Sequence, residues 1–320
     1  IVRTGRRAGA HVIVGTPVVN LRDCPPFASA HRPDLSAQER EEWDRLYQAG
    51  LAAAADHPGA ARQSFEAAVA VDDRHAELQY RLGRVYLALG LTDAAQDCLV
   101  QACELDTLRF RADQTLHRMT REVVAACADG DVVCVDTAES GASHAPDGVV
   151  GDEWLYEHVH LNPAGNYNLA RTFAEAVESG VLRGDVDADA HSEGWLSLEQ
   201  CMAALAMTEW DRRRVDHEML ARLRQPPFTN QADHDLRETA WQERLDALDR
   251  KWDQGGMKRA SAMYGEAVAR RPADWVVREA FARFLQAEGR SREAETHWRQ
   301  TVALVPHYAP GYFGLATALD

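Results

Sequence analysis

The sequence predicts a chain of two fold classes, a partial α/β domain joined to all-α helical repeats. Three observations predict it: a 34-residue period in two separate sections, two short runs rich in Val and Ile, and a helix start that follows an acid-x-x-His group. The chain has 320 residues, of which 46% are hydrophobic, so a sizeable core and either two domains or one domain plus a repeat array are expected.

The first predicted strand is "HVIVGTP" at 11–17, and the second is "DVVCVDT" at 131–137. Both runs are bounded by turn residues, a pattern typical of buried strands in a parallel sheet. The stretch 108–128 between them predicts the crossover helix of a right-handed βαβ unit. The carboxyl ends of the two strands should then share one edge of the sheet, where sites in such sheets lie.

The section 38–106, between the two strands, repeats itself. Four residues recur 34 positions later: Ala61, Phe65, Ala68 and Asp72 return as Ala95, Leu99, Ala102 and Asp106. Ala49 likewise aligns with Gly83. Small residues let antiparallel helices approach, and large ones fill the gap between neighbouring pairs. The section is therefore predicted to be a helical module set into the crossover.

The motif "DEWLYEHVHLNPAGNYNLARTF" at 152–173 marks the start of the next helix. Asn162 is a favourable N-cap and Pro163 suits the first helical position, so the helix is predicted to run to about residue 179. Glu157 and two histidines precede it. If this stretch is extended, the histidines His158 and His160 point to one side and Glu157 to the other.

The section 241–320 repeats the earlier pattern after a connector at 181–240 that is predicted to be helical. Three residues recur 34 positions later: Ala260, Tyr264 and Pro272 return as Ala294, Trp298 and Pro306. A further, truncated unit begins near Ala309. Within the connector, 185–196 predicts an acidic linker, because Ala190 stands where a calcium loop needs a turn glycine.

Both repeated sections resemble tetratricopeptide repeats. The resemblance implies a concave groove for a protein or peptide partner, and a packing scaffold without a ligand is the alternative. Tyr264 and Trp298 are expected in the core of the repeats and not in a ligand contact.

The motif before the helix resembles the last conserved block of the SGNH/GDSL hydrolases, in which Asp-x-x-His precedes a turn, a Gly and a helix ending in Leu-Ala. His160 matches the His and Gly165 the Gly, while "HVIVGTPVVNLRDCPPF" looks like the fourth strand and following loop of bacterial members that carry tetratricopeptide repeats. The resemblance covers 1–37 and 107–180. It implies a partial three-layer, flavodoxin-like domain.

The resemblance also implies acyl transfer from an acyl ester to a serine. His160 would be the general base, and Glu157, which replaces the usual Asp, would orient it. Asn20 and Arg22 are expected to line the substrate site. The family's Gly-Asp-Ser block and oxyanion blocks are absent from this sequence, and Ser140 follows a later strand, so we expect the 320-residue chain alone to lack esterase activity. A structural His160 and a non-catalytic scaffold are the alternatives.

Composition excludes several function classes. A net charge of −15 argues against a nucleic-acid partner, and no apolar run approaches the ~20 residues of a membrane span. His158-x-His160 lacks a third ligand at metal spacing, so no metal and no cofactor are expected. Because the chain opens at Ile1, we expect upstream sequence that could carry an export signal or an anchor. The compartment is not indicated.

Overall fold

The computed structural model describes residues 2–127, 132–181 and 194–319. These stretches are mostly helical, with two short strands, β1 (Val12–Gly15) and β2 (Val132–Val135). The first α-helices are α1 (Val2–Arg7), α2 (Ala37–Ala53), α3 (Pro58–Val71), α4 (Ala76–Ala88), α5 (Thr92–Glu104), α6 (Gln114–Ala125), α7 (Thr137–His144) and α8 (Pro163–Ala176). They are followed by α9 (Leu198–Ala204), α10 (Glu209–Leu223), α11 (His234–Asp253), α12 (Gly256–Arg270), α13 (Trp275–Ala287), α14 (Ser291–Leu304) and α15 (Ala309–Leu319).

The chain divides into two compact units. The first unit takes Ile1–Gly194 together with Pro226–His234, and the second takes Trp195–Gln225 together with Asp235–Asp320. The connector predicted over 181–240 is therefore shared between the units, because its Pro226–His234 stretch belongs to the first and helices α9 and α10 belong to the second.

The two strands pair in parallel, with Val12 opposite Val132, which confirms the pairing predicted from the Val-rich runs. Both strands are shorter than those runs. A side-chain hydrogen bond joins the residues that follow the two strands, where Thr16 Oγ1 donates to Asp136 Oδ1 at 2.8 Å. The sheet of the described residues has these two strands, so the three-layer, flavodoxin-like arrangement implied by the resemblance is not built there.

Helix α6 is shorter than the helix predicted over 108–128. Its start is set by Asp113, whose carboxylate accepts a backbone N–H of the first turn at 2.8 Å. The residues before it are held in a loop, where Asp106 accepts from the Arg111 guanidinium at 3.3 Å. Position 128 lies outside the described residues. The predicted helix between the two strands is therefore confirmed, but it begins at Gln114 and not at residue 108.

Helices α2 to α5 form two antiparallel hairpins, as predicted for 38–106. Their core combines Ala61, Phe65 and Ala68 of α3 with Leu78 and Leu82 of α4. All five are at most 3% exposed. The small residues of α3 let α4 approach, and Phe65 fills the space between the helices.

One alignment within these repeats is wrong by a residue. Ala49 is exposed, whereas Gly50 is buried and a Cβ added to it would overlap the Phe65 ring. Gly83 has the same relation to Leu99, whose Cγ would lie 2.8 Å from an added Cβ. Gly50, and not Ala49, is thus the counterpart of Gly83, because a side chain at either site would separate the helices of its hairpin.

The second unit has a separate core at α12 to α15. Ala260 and Ala294 are buried 34 residues apart, and so are the aromatic residues Tyr264 and Trp298, which confirms that the predicted repeat and its aromatic residues belong to the core. Trp298 Nε1 donates to Gln286 Oε1 at 2.8 Å, so its polar edge is satisfied inside the core.

Candidate functional site

The loop before α8 is closed by its own backbone. Asn162 caps α8 by accepting from Gly165 N at 2.9 Å, and Pro163 is the first helical residue, as predicted. A single antiparallel bridge joins Leu155 to Leu161, and Tyr156 N donates to His160 O at 2.8 Å. The loop is therefore a tight turn whose tip carries Glu157, His158 and His160. Helix α8 ends at Ala176 and continues directly as a π-helical turn over Val177–Val181, which confirms a helical segment that reaches about residue 179.

Glu157 lies at the centre of this turn and is 1% exposed. Its carboxylate accepts from the backbone N–H groups of His158 at 2.7 Å and His160 at 2.8 Å. Oε1 also contacts His160 Nδ1, and Oε2 contacts His158 Nδ1. The arrangement expected for an extended stretch, with Glu157 on the side opposite the two histidines, is thus wrong, because the turn brings the carboxylate to both imidazoles.

His160 is the accessible member of the three. Its side chain is 52% exposed. Since Nδ1 faces the carboxylate, any proton exchange with a bound molecule would use Nε2. A buried carboxylate that contacts Nδ1 also orients the ring, which is what a histidine base requires.

His158 is held among aromatic rings. Its ring centroid lies 5.1 Å from that of Phe27, 6.0 Å from Phe110 and 5.5 Å from Phe228. All of these contacts are edge-to-face, an arrangement that stabilises aromatic pairs. These neighbours were not predictable from the sequence. They come from separate segments of the chain, and no local spacing marks them.

Asn20 and Arg22 lie beside the loop and hold it in place. Asn20 is fully buried, and its Nδ2 donates to Asp152 Oδ1 at 2.8 Å. Arg22 forms ion pairs with Asp23 and Glu153. These contacts give both side chains a role in joining two loops, and a role in substrate binding stays a prediction.

Asp23 is a further charged residue at this junction. Burial works to raise its pKa, but Arg22 and the Asp152 N–H hold the pKa below its ordinary value. Its Oδ2 accepts from Asp152 N at 3.0 Å. The ionised carboxylate therefore fixes the first residues of the 152–161 loop.

A pocket of about 540 Å³ opens at the carboxyl end of β1. Its lining includes Gly15 and Thr16 from the strand end, Val159 and Leu161 from the loop, and Phe173 from α8. These residues are mostly apolar, as in pockets that bind small molecules. Val159 and Leu161 flank His160 in sequence, but His160 itself is not part of the pocket lining.

Other site types find little support in the described stretches. In 2–127, 132–181 and 194–319, no three His, Cys, Asp or Glu side chains are grouped as metal ligands. Ser140 Oγ lies 3.3 Å from Thr172 Oγ1, at the contact of α7 with α8. The acidic linker predicted over 185–196 lies mostly outside the described residues. None of the helices in these stretches is long and apolar enough to cross a bilayer.

The second unit presents a separate surface on its repeats. Val276 on α13 is 52% exposed and Phe313 on α15 is 73% exposed. Phe313 stands one 34-residue repeat after Glu279, so both residues occupy the same face of successive helices. The side chain of Arg283, one turn further along α13, is 55% exposed.

Comparison with known proteins bears on the repeats. The family model described as Tetratricopeptide repeat matches residues 76–107, which cover α4 and α5. No curated protein matches the chain.

Similar solved structures include TTC0263, a thermophilic tetratricopeptide repeat protein of Thermus thermophilus. It is 15% identical over 88% of this chain and 98% of its own, with a TM-score of 0.21. A second similar chain is found in the structure of the APC/C hetero-tetramer Cut9–Hcn1. It is 14% identical over 88% of this chain, with a TM-score of 0.24. The present chain spans 47% of that second protein's length. The family match and the observed helical hairpins together show that this chain contains tetratricopeptide repeats.

Proposed function

We propose that the protein is a repeat scaffold that binds a protein or peptide partner. The observation that carries the proposal is the exposed face of α13 and α15, where Val276 and Phe313 lie open to solvent. Apolar side chains that cluster on one exposed face are typical of interaction sites, whereas scattered ones are not, so the proposal depends on the repeat relation that puts both residues on the same face of successive helices. Arg283 adds a cation whose charge is shared with Glu279 at 2.6 Å.

Selection of random twelve-residue peptides on the immobilised protein tests this proposal. We expect a consensus with an apolar anchor, because Val276 and Phe313 offer mainly apolar area. Replacing either by a charged residue, Val276→Glu or Phe313→Glu, should weaken the selected peptide at least tenfold. Leu304→Glu is the matched control, since Leu304 is 43% exposed but lies at the end of α14. Equal losses in all three variants, or no enriched peptide, would contradict the proposal.

A second proposal concerns the loop before α8, and the contact of Glu157 with His160 Nδ1 favours it. We propose that this pair serves acyl transfer in an SGNH/GDSL-type ester hydrolase. Glu157 orients the ring and balances the charge that it gains, while Nε2 accepts the proton of a serine nucleophile. The resemblance places that serine outside this sequence. The partial α/β domain at 1–37 and 107–180 belongs to the same proposal.

Hydrolysis of p-nitrophenyl acyl esters of increasing chain length tests the second proposal. In the intact hydrolase, His160→Ala should abolish turnover, and Glu157→Gln should reduce it less, because the histidine still accepts a proton. His144→Ala is the control, since His144 is an exposed histidine at the end of α7. Turnover that His160→Ala leaves unchanged would end the hydrolase proposal.

A further inference from the structure

Helix α4 of the inserted repeats has two differently occupied faces. Leu78, Leu82 and Val85 pack into the core of the hairpins. The other face carries Glu77, Arg81 and Arg84, at the i, i+4 and i+7 positions that share one side of a helix. This second face corresponds to the face of α13 that carries Val276 and Arg283 in the other unit.

Other segments of the same unit contact this second face of α4. Arg84 Nη1 donates to Arg22 O at 3.0 Å and to Asp23 Oδ1 at 2.6 Å. Glu77 N donates to Ser29 Oγ at 2.9 Å, and Arg81 Nη1 donates to an acidic residue of the Pro226–His234 stretch at 2.6 Å. On α4, the Arg81 and Arg84 side chains are thus engaged by other segments of the same unit, whereas Val276 on α13 is more than half exposed.

Two equivalent aspartates of the repeats hold the same segment. Asp106, after α5, accepts from the N–H groups of Phe27 at 2.9 Å and Ala28 at 3.1 Å. Asp72 stands 34 residues earlier, after α3, and accepts from Arg32 N at 3.3 Å. Both aspartates are at most 2% exposed. Successive repeats therefore bind successive parts of one segment through the same residue position.

His31 completes the contact at the first repeat. Its Nδ1 lies 2.6 Å from Asp72 Oδ2, and its ring meets Trp43 of α2 edge-on at a centroid distance of 4.5 Å. Trp43 is 3% exposed. The segment thus offers backbone N–H groups to the buried carboxylates and an imidazole to an aromatic surface, as a bound peptide would.

We infer that the inserted repeats are a peptide-binding module whose ligand is the chain's own 22–32 segment. The module holds the loop that carries Asn20 and Asp23 against the rest of the first unit. The consequence for an outside partner rests on the scaffold function proposed above. If the 22–32 segment occupies the inserted repeats, the face of α13 and α15 is the surface that an outside partner can bind.

Amide hydrogen exchange on the full chain tests the inference without any substitution. We expect the N–H groups of Phe27, Ala28 and Arg32 to exchange at least 100-fold more slowly than those of a free peptide. The reason is that the buried carboxylate of Asp106 accepts hydrogen bonds from the first two, and that of Asp72 accepts one from the third. Exchange at the free-peptide rate, while α4 stays protected, would overturn the inference.

A fluorescent synthetic peptide of residues 20–35, followed by anisotropy, tests whether the groove can take this ligand in trans. Wild type should not bind it, since the groove is filled. A chain with His31→Ala and Arg32→Ala, which weakens the hold on its own segment, should bind the peptide with at least tenfold higher affinity than wild type. Adding Asp72→Ala should remove that binding, and adding Asp73→Ala, which alters an exposed neighbour, should not.

The outcomes separate this inference from the scaffold proposal. Equal affinity of the peptide for wild type and for the His31→Ala, Arg32→Ala chain would overturn the inference. A His31→Ala, Arg32→Ala chain that keeps its helical circular dichroism and still does not bind the peptide would also overturn it. Neither measurement involves an outside partner. Failure of the random-peptide selection on α13 and α15 would therefore contradict the scaffold proposal and leave the cis contact standing.

Discussion

At the scale of single residues, two glycines set the distance between the paired helices of the inserted module. Gly50 faces the Phe65 ring and Gly83 faces Leu99, each where an added Cβ would collide. Phe65 and Leu99 are at most 1% exposed, so neither has room to move aside. Close helix packing in this module therefore depends on the absence of two side chains.

We expect Gly50→Ala to destabilise the first unit by about 1–3 kcal/mol, because overpacking forces shifts in a filled core. Gly59→Ala is the matched control in α3, since nothing lies within 4 Å of an added Cβ there. It should stabilise the unit by about 0.4–1 kcal/mol through a more restricted unfolded chain. Urea unfolding followed by circular dichroism measures both, and a Gly50→Ala chain as stable as wild type would contradict the packing argument.

His75 should make the stability of the first unit depend on pH. Burial, and next the charge of His31, lower the pKa of His75 to about 4, while Glu77 and Asp72 work to raise it and Arg40 to lower it. Between about pH 6.5 and pH 4, the unfolded chain binds a proton that the folded chain does not. Stability therefore falls as the pH drops through this window, by on the order of 3 kcal/mol.

The variant His75→Asn tests this dependence. Asparagine retains the N-cap role, in which the His75 ring accepts from Leu78 N at 3.3 Å, but it does not titrate. We expect the urea midpoint of the variant to vary less than that of wild type between pH 6.5 and pH 4. Identical pH profiles for the two chains would show that another group is responsible.

The residues of the candidate site were only partly predictable. The motif named Glu157 and His160 as partners, and the structure brings Glu157 Oε1 to His160 Nδ1. The side on which Glu157 lies was not predictable, because the turn depends on the bridge between Leu155 and Leu161. The Gly50 register was missed for a similar reason: the connection between two helices differed by one residue, and only packing reveals it.

At the scale of elements, one buried cation joins the loop after β1 to the connection between α5 and α6. Arg111 Nη1 donates to Asn20 O at 2.9 Å and Cys24 O at 2.8 Å, while Nη2 donates to Asp106 Oδ2. Arg111 is 6% exposed. The same Asp106 binds the 22–32 segment, so a single ion pair links the repeats to the sheet end.

We expect Arg111→Met to cost the first unit about 3–5 kcal/mol, because it leaves a buried carboxylate without its cation and two carbonyl groups without a donor. Arg109→Met is the control. Arg109 pairs with Asp113, but its side chain is 63% exposed, so its loss should cost at most about 1 kcal/mol. Similar unfolding midpoints for the two variants would contradict a dominant role for the buried pair.

Elements were predicted better than their ends. The parallel strand pair and the helical hairpins followed from composition and period, which depend on burial along the whole element. Boundaries depend on single capping groups such as Asp113, which starts α6, and Thr16, which ends β1. The sharing of the connector between units was not predictable, since the contacts that place Pro226–His234 in the first unit are non-local.

At the scale of the whole molecule, each compact unit has its own core. Phe65 and Trp43 belong to one, and Tyr264 and Trp298 to the other. Stability should then be separable. Arg111→Met should lower the melting temperature of one calorimetric transition, and Trp298→Ala, which empties a large buried volume, should lower that of another by a comparable or larger amount. A single transition that both variants shift equally would contradict independent cores.

The insertion of the repeats between β1 and β2 also bears on the order in which the chain folds. The paired strands are 120 residues apart in sequence, Val12 against Val132, and contacts so distant form slowly in a flexible chain. Helical hairpins rest on local contacts and form early. Folded repeats would replace much of that flexible loop by a rigid one, and so reduce the entropy lost on closing it. The inserted module would then be a folding nucleus for the sheet, and Gly50→Ala should slow strand pairing as well as weaken it.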